Sequence, residues 1–133
     1  MIVKCIGNAL SSLESAAARD RIRHWTDSEG NYTHLEIGEK YIVEALEYLD
    51  NGIWFYLHTI PESEHPYPYA SEFFSIEDSE FPEHWRVSFN VTNGLPKFKR
   101  ITFSEWAEDD LFFEKLIDSE VDYVAIYMKN RTS

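Results

Sequence analysis

The chain has 133 residues, of which 44% are apolar and 16% aromatic, and its 24 acids outnumber 12 lysines and arginines. This length fits one domain whose core needs no disulfide or metal, and the single cysteine excludes an internal disulfide. The net charge of −12 disfavours nucleic acid and anionic membranes as partners and favours a basic protein, although solubility alone also explains such a charge.

The negative charge is unevenly distributed. Residues 1–35 hold four acids and four bases, so all of the net charge lies in residues 36–133. The densest stretch is residues 101–122, with eight acids and one base, Lys115.

The first elements are a strand at residues 2–6 and an insert over residues 10–30. Cys5 lies in the apolar start and is expected to be a buried structural thiol. Residues 10–25 keep helical spacing and Ser11 or Ser12 could cap a helix, but a strand stays open. Residues 27–31 have the composition of a loop.

A hairpin is expected next. Residues 40–49 fit either a helix or a strand, and the Asn51-Gly52 pair that follows favours a strand and a tight turn. Residues 53–60 are rich in β-formers and need a partner strand.

Two further strands are predicted after a proline-rich loop. Three prolines between Pro61 and Pro68 exclude a central strand there. Phe74 to Glu77 is a short strand, and residues 84–90 alternate so that Trp85, Val87 and Phe89 share one face.

The C-terminal part is predicted to be helical. Asn93-Gly94 marks a turn, and Leu95-Pro96 is expected to end the strand pattern. Thr102-x-x-Glu105 and Ser119-x-x-Asp122 are capping-box patterns, which predict two short helices within residues 101–130.

The block from Leu35 to Glu77 resembles the SH3-like barrels of small bacterial proteins of unassigned function. The resemblance rests on one strand pattern, one turn, and aromatic positions after it: Gly38, Tyr41, Val43, Asn51-Gly52, Trp54, Tyr56, Tyr67-Pro68 and Phe73-Phe74. It implies an α+β domain over residues 1–133. Residues 1–92 would form a small SH3-like antiparallel β-barrel of five or six strands, and helices would follow. Some proteins of this kind resemble immunity proteins of polymorphic toxin systems, which are acidic and cytoplasmic.

No motif marks an enzyme. The five histidines are scattered and the five glycines isolated, so neither a metal site nor a phosphate loop is expected, and a nucleophile elbow is absent. No cofactor is predicted. The cluster Arg19-Asp20-Arg21-Ile22-Arg23 could hold an anion, but pairing with the surplus acids of the chain is the simpler interpretation.

The predicted function is that of a non-catalytic, cytoplasmic binding protein that neutralises a basic protein such as a toxin domain. The chain would be a monomer or weak homodimer, without nucleic acid or membrane partners. Acids near the predicted helix would steer the partner, unless they serve only the helix dipole, and aromatics would anchor it. The candidate residues are Glu105, Glu108, Asp109, Asp110, Asp118, Trp54, Tyr56 and Tyr67. Alternatives are an SH3-type peptide-binding module that uses the three aromatics, and a small enzyme with an unrecognised carboxylate pair.

Overall fold

The computed structural model describes residues 1–26, 32 and 34–131. Within them the protein is α+β, with seven strands that all pair antiparallel. The strands are β1 (Ile2–Cys5), β2 (Lys40–Leu49), β3 (Gly52–Leu57), β4 (Tyr67–Ala70), β5 (Phe74–Asp78), β6 (Trp85–Thr92) and β7 (Leu95–Phe103). The α-helices are α1 (Ala16–Ile22), α2 (Ser104–Ala107), α3 (Phe112–Ile117) and α4 (Val121–Asn130), and 3-10 helices span Leu10–Ser12, Arg23–Trp25 and Ser71–Phe73.

Strand β2 is the centre of the sheet. Its first part pairs with β1, and its second part pairs with β3 and β7. The main strand order is β4-β3-β2-β1-β5, and β6 pairs with β7 alone. The two ends of this order, β4 and β5, do not pair with each other in the described chain. The predicted antiparallel α+β architecture is therefore confirmed, but the predicted closure into a barrel is wrong.

The β2–β3 hairpin was expected and is present, with its turn one residue earlier than predicted. Asp50 and Asn51 take positive φ angles of 51° and 59°, and Leu49 pairs with Gly52 as the first residue of β3. Gly52 also leaves room for α1: a Cβ there would meet the guanidinium of Arg21, which would have to shift. The glycine thus allows α1 to approach the hairpin closely.

The insert is helical, which resolves the open choice for residues 10–25. The cap of α1 is Ser15, whose hydroxyl accepts from the Ala18 N–H at 3.2 Å. The predicted caps Ser11 and Ser12 lie instead in the preceding 3-10 helix. The predicted loop at residues 27–31 lies outside the described residues.

Two strands contain prolines that the sequence analysis took as strand breakers. Pro68 lies in β4, an edge strand that pairs only with β3, and Pro96 lies in β7 opposite Val91. Strand β7 pairs with β2 only at Arg100 and Ile101, so the missing N–H of Pro96 removes no bond to β2. The prediction that the strand pattern stops at Leu95-Pro96 is therefore wrong.

Neither predicted capping box forms. Thr102 is part of β7, and its hydroxyl donates to the Glu44 carbonyl at 2.9 Å. Ser119 has a positive φ of 59° after the end of α3, and α4 begins without a side-chain cap. Helical structure was correctly expected in this region, but it forms three helices, α2, α3 and α4, and not two, and packing rather than capping holds them.

Aromatic rings attach the helices to the sheet. Trp106 of α2 stacks on Phe112 and Phe113, with ring centroids 5.7 and 5.8 Å apart, and meets Tyr56 of β3 edge-on at 5.0 Å. Trp106 and Phe112 are almost fully buried. Removing such a buried ring typically costs about 3–5 kcal/mol, so this cluster is the main attachment of residues 104–130.

Candidate functional site

Three of the five predicted acidic site residues are engaged within the chain, Asp110 and Glu105 by side chains and Asp109 by a backbone N–H. Asp110 forms ion pairs with Lys99 and with Arg100, and the Lys99 contact lowers its pKa first, followed by the Arg100 contact. Glu105 accepts from Ser104 Oγ at 2.8 Å and from Asn130 Nδ2 at 3.0 Å. The hydrogen bond from Ser104 is the main cause of its lowered pKa. The carboxylates of Asp110 and Glu105 have internal roles that a partner would have to compete with.

Asp109 and the two remaining predicted acids have different environments. Asp109 is half-buried and its carboxylate accepts from the Leu111 N–H at 2.9 Å, which fixes the turn before α3. Glu108 and Asp118 are exposed, and their side chains have no hydrogen bond or ion pair with any described residue. These two are the predicted acids that remain available to a partner.

Further exposed acids complete a surface that we call the acidic helical face. Their side chains likewise make no hydrogen bond or ion pair within the described chain. The members of the face are Glu108, Glu114, Asp118, Glu120 and Asp122. The base of this stretch, Lys115, is turned toward Tyr123, whose hydroxyl accepts from it at 3.1 Å.

Apolar side chains are exposed among these acids. Leu111 is 51% exposed, Ile117 44% and Val121 81%. All three side chains therefore lie outside the core. Val121 borders a shallow groove of about 290 Å³ between α4 and Glu64, a residue of the loop that connects β3 to β4. The face therefore combines charge with exposed apolar contacts, as protein-binding surfaces do.

The predicted aromatic anchors lie elsewhere. Trp54 is fully buried and its indole N–H donates to the Leu49 carbonyl at 2.7 Å, while Tyr56 is 5% exposed. Tyr67 is half-buried against His65, with ring centroids 4.7 Å apart. Trp54 and Tyr56 serve the core, so the prediction that they contact a partner has to be corrected.

A network of charges lies beneath the acidic helical face. Arg100, whose side chain is 7% exposed, donates from Nε to Glu47 at 2.9 Å and from Nη1 to Asp110 at 3.0 Å. The Ala107 carbonyl accepts from the same Nη1 at 3.3 Å. Tyr56 donates its hydroxyl to Glu47 at 2.7 Å, and burial, followed by Glu47, raises the Tyr56 pKa. This Arg100 network connects β2, β3 and β7 to α2.

A second network surrounds Glu44, which is 4% exposed. The register of β2 against β3 shifts at Glu44, as at a β-bulge, and Arg131 Nε donates to its carboxylate at 3.2 Å. Arg131 Nη2 lies 3.0 Å from His58 Nδ1, and His58 Nε2 lies 2.7 Å from the Ser63 carbonyl. Because an arginine can only donate, this contact favours the His58 tautomer whose Nε2–H donates to the Ser63 carbonyl.

Burial dominates the protonation of this Glu44 network. Desolvation raises the Glu44 pKa from 4.5 to about 7, although the contacts with Arg131 lower it in part. The buried Tyr127 hydroxyl faces Glu44 without hydrogen-bond geometry to any described group, and its own pKa is raised by burial and then by Glu44. Sequence reasoning missed both networks, because their partners are up to 87 residues apart.

The basic cluster of α1 is engaged internally, as the simpler interpretation held. Arg21 forms an ion pair with Glu72, Arg23 lies 3.7 Å from Asp20, and Arg19 donates to the Leu13 carbonyl. Arg21, Glu72, Asp50 and neighbouring residues line an open groove of about 710 Å³. Contacts with the 3-10 helix at Ser71–Phe73 and within the insert therefore explain these arginines.

Cys5 is fully buried, its thiol lies 3.2 Å from the Gly7 carbonyl, and burial raises its pKa. This matches the expected structural thiol. Among residues 1–26, 32 and 34–131, no group of three or more histidine, cysteine or carboxylate side chains is placed to hold a metal ion. Within the same described residues, no helix has the length and apolar content to cross a membrane.

Comparison of the chain with protein-family models, with curated proteins and with solved structures finds no match. The residues of the chain and their geometry therefore carry the functional argument.

Proposed function

We propose that the protein is a non-catalytic binding protein that neutralises a basic protein partner, in the manner of an immunity protein. The observation that carries the proposal is the acidic helical face. There, five exposed carboxylates that make no hydrogen bond or ion pair with a described residue occur in one stretch with three exposed apolar side chains. A cytoplasmic location and a partner such as a toxin domain belong to the same proposal.

The proposed mechanism has two stages. The negative field of the face raises the rate of encounter with a basic surface, an effect that falls with ionic strength. Leu111, Ile117 and Val121 then lose their contact with water and slow dissociation. These apolar side chains take the anchoring role that the sequence analysis gave to Trp54 and Tyr56.

The proposal includes an SH3-like origin of the sheet. The order β4-β3-β2-β1-β5 and the 3-10 helix at Ser71–Phe73 between β4 and β5 support it. The SH3-type peptide-binding alternative gains no such support, since Trp54 and Tyr56 are buried. For the enzyme alternative, the raised pKa of Glu44 has a structural explanation in its burial beside Arg131.

The test compares two variants that remove the same charge from different surfaces. Glu108→Gln, Glu114→Gln, Asp118→Asn and Asp122→Asn together neutralise four of the five carboxylates of the acidic helical face. Glu14→Gln, Glu36→Gln, Glu39→Gln and Glu62→Gln neutralise exposed acids elsewhere. A protein captured from native lysate by the wild type is purified, and its association rate is measured at several salt concentrations.

We expect the face variant to associate at least about tenfold more slowly and with a flatter salt dependence, while the control variant changes the rate less than about threefold. Equal effects of the two variants would assign the charge to solubility. A captured partner without a basic surface would also contradict the proposal.

A further inference from the structure

We propose that β6 is a self-association edge, at which two copies of this chain pair their β6 strands antiparallel across a twofold axis. Three strands lie at edges of the sheet. In the described part of the chain, β4, β5 and β6 each pair on one side only. An unpaired edge presents backbone N–H and C=O groups that another strand can bind.

The β4 and β5 edges carry features that prevent such pairing. Strand β4 has four residues and contains Pro68, and β5 carries Glu77 and Asp78. Prolines, charges and short length are the usual protections of a sheet edge. Strand β6 has eight residues, about 26 Å of extended chain, and contains neither proline nor acid. Its one charged residue is Arg86, at the second position.

The exposed side chains of β6 are apolar on one face. Successive residues of a strand alternate, so Val87, Phe89 and Val91 share the face of Trp85. They are 47%, 55% and 73% exposed, although their alternation alone would indicate a buried face. In an antiparallel pair of β6 strands, these side chains lie beside those of the second copy and lose water contact.

Charge favours a second copy as the occupant. Residues 85–103 contain four bases and no acid, whereas residues 77–83 contain four acids and no base. Lys99 and Arg100 are bound by Asp110 and Glu47, so Arg86 and Lys97 are the bases of the hairpin without an ion pair in the described chain. Antiparallel pairing places the start of one β6, preceded by Glu80 and Glu83, beside the end of the other, where Lys97 lies on the adjoining strand β7 opposite Asn90. The twofold axis repeats this attraction, so the two hairpins are complementary although each chain carries −12.

The same charges disfavour other occupants. A basic partner would be repelled by the exposed Arg86 and Lys97, and nucleic acid would be repelled by the acids of residues 77–83 directly before β6. Acids further from the interface than the Debye length, about 8 Å at physiological salt, contribute little repulsion between two copies.

The first experiment is sedimentation velocity of the full chain over a range of concentrations at physiological salt. We expect a reversible monomer–dimer equilibrium. The double variant Phe89→Lys/Val91→Lys should weaken it at least about tenfold, because it puts like charges into the interface. The matched control is Ile37→Lys, at a residue that is 65% exposed elsewhere, and it should change the dimer less than about twofold. Circular dichroism and the thermal midpoint establish that each variant is folded.

A charge exchange tests the antiparallel alignment. Glu83→Lys and Lys97→Glu should each weaken the dimer, and the double variant Glu83→Lys/Lys97→Glu should restore it to within about twofold of the wild type. A chain that stays monomeric at all concentrations, or a dimer that Phe89→Lys/Val91→Lys leaves intact, would overturn the proposal. A double variant weaker than both single ones would overturn the alignment.

Discussion

Glu44 and Glu47 are three residues apart on β2, and each carboxylate is bound by an arginine, but the two networks are built differently. Glu47 is bound by Arg100, which is fixed within β7 and has further acceptors in Asp110 and Ala107. Glu44 is bound by Arg131, which follows α4 and has a side chain that is 33% exposed. Arg100, inside the sheet, therefore joins four elements. Arg131, which follows a helix, binds its carboxylate less completely.

Removal of Arg100 should have the largest effect. Arg100→Met leaves Glu47 with only the Tyr56 donor and the Ala107 carbonyl without its side-chain donor in a mostly buried site, and we expect the free energy of unfolding to fall by about 3–5 kcal/mol. Urea denaturation measures it. The control Arg23→Met, at an exposed arginine, should stay within about 0.5 kcal/mol of the wild type. Comparable losses in the two variants would show that the network adds nothing beyond a surface charge.

The pH dependence of stability should come from Glu44. The pKa of Glu44 is raised in the folded chain, so folding favours its protonated form. The contribution of Glu44 to the free energy of unfolding is therefore fully present below pH 4.5 and is lost as the pH rises through about 7. The full loss is about 3 kcal/mol. Glu44→Gln should remove this slope, so its stability relative to the wild type rises between about pH 5 and 8. Parallel pH profiles for the two chains would rule out a raised pKa at Glu44.

Removal of Arg131 should matter more when Glu44 is ionised. We expect Arg131→Met to cost about 2 kcal/mol near pH 8 and about half as much or less near pH 5, where Glu44 is protonated. Chemical denaturation at both pH values measures the difference. Lys129→Met, at an exposed neighbouring cation, should show no such pH dependence. A loss that does not change with pH would mean that Arg131 acts by packing alone.

The smallest difference should come from the two tyrosines. Tyr56→Phe removes a hydroxyl that donates to Glu47, and we expect a cost of about 1–2 kcal/mol. Tyr127→Phe removes a buried hydroxyl without a hydrogen bond to the described chain, and we expect a cost below about 0.5 kcal/mol. Thermal unfolding of both variants tests the order, and a larger loss at Tyr127 would reverse our view of which network is satisfied.

Local signals were sufficient for most strands. Alternation indicated β6, and the Asn51-Gly52 pair located the β2–β3 hairpin to within one residue. The Asn93-Gly94 pair marked the turn after β6, but β7 itself was not predicted. The predictions of local structure were wrong where a partner distant in the sequence decides the conformation. Thr102 has the spacing of a capping box, but it lies in β7 and binds the Glu44 carbonyl 58 residues away. Pro96 indicates the end of a strand when the sequence is considered alone. It is tolerated in β7 because β2 does not pair with this part of the strand.

The candidate site was predictable in composition but not in detail. The acid-rich stretch is evident from the sequence. The sequence does not distinguish Asp110 from Glu108, however, because only the structure shows that Lys99 and Arg100 bind Asp110. The prediction that Trp54 and Tyr56 contact a partner was wrong for a related reason. The four residues from Trp54 to Leu57 are buried on both faces of β3, because the sheet and the helices cover opposite sides, and alternation cannot reveal two-sided burial.

The contact between Arg21 and Gly52 ties two positions of the sequence to each other. A larger residue at position 52 would displace the guanidinium and break its ion pair with Glu72, whereas a shorter residue at position 21 would remove the requirement for glycine. In any related chain, we therefore expect residues 21, 52 and 72 to vary together. Their covariation would mark descent from this arrangement even where the charges of the surface have diverged.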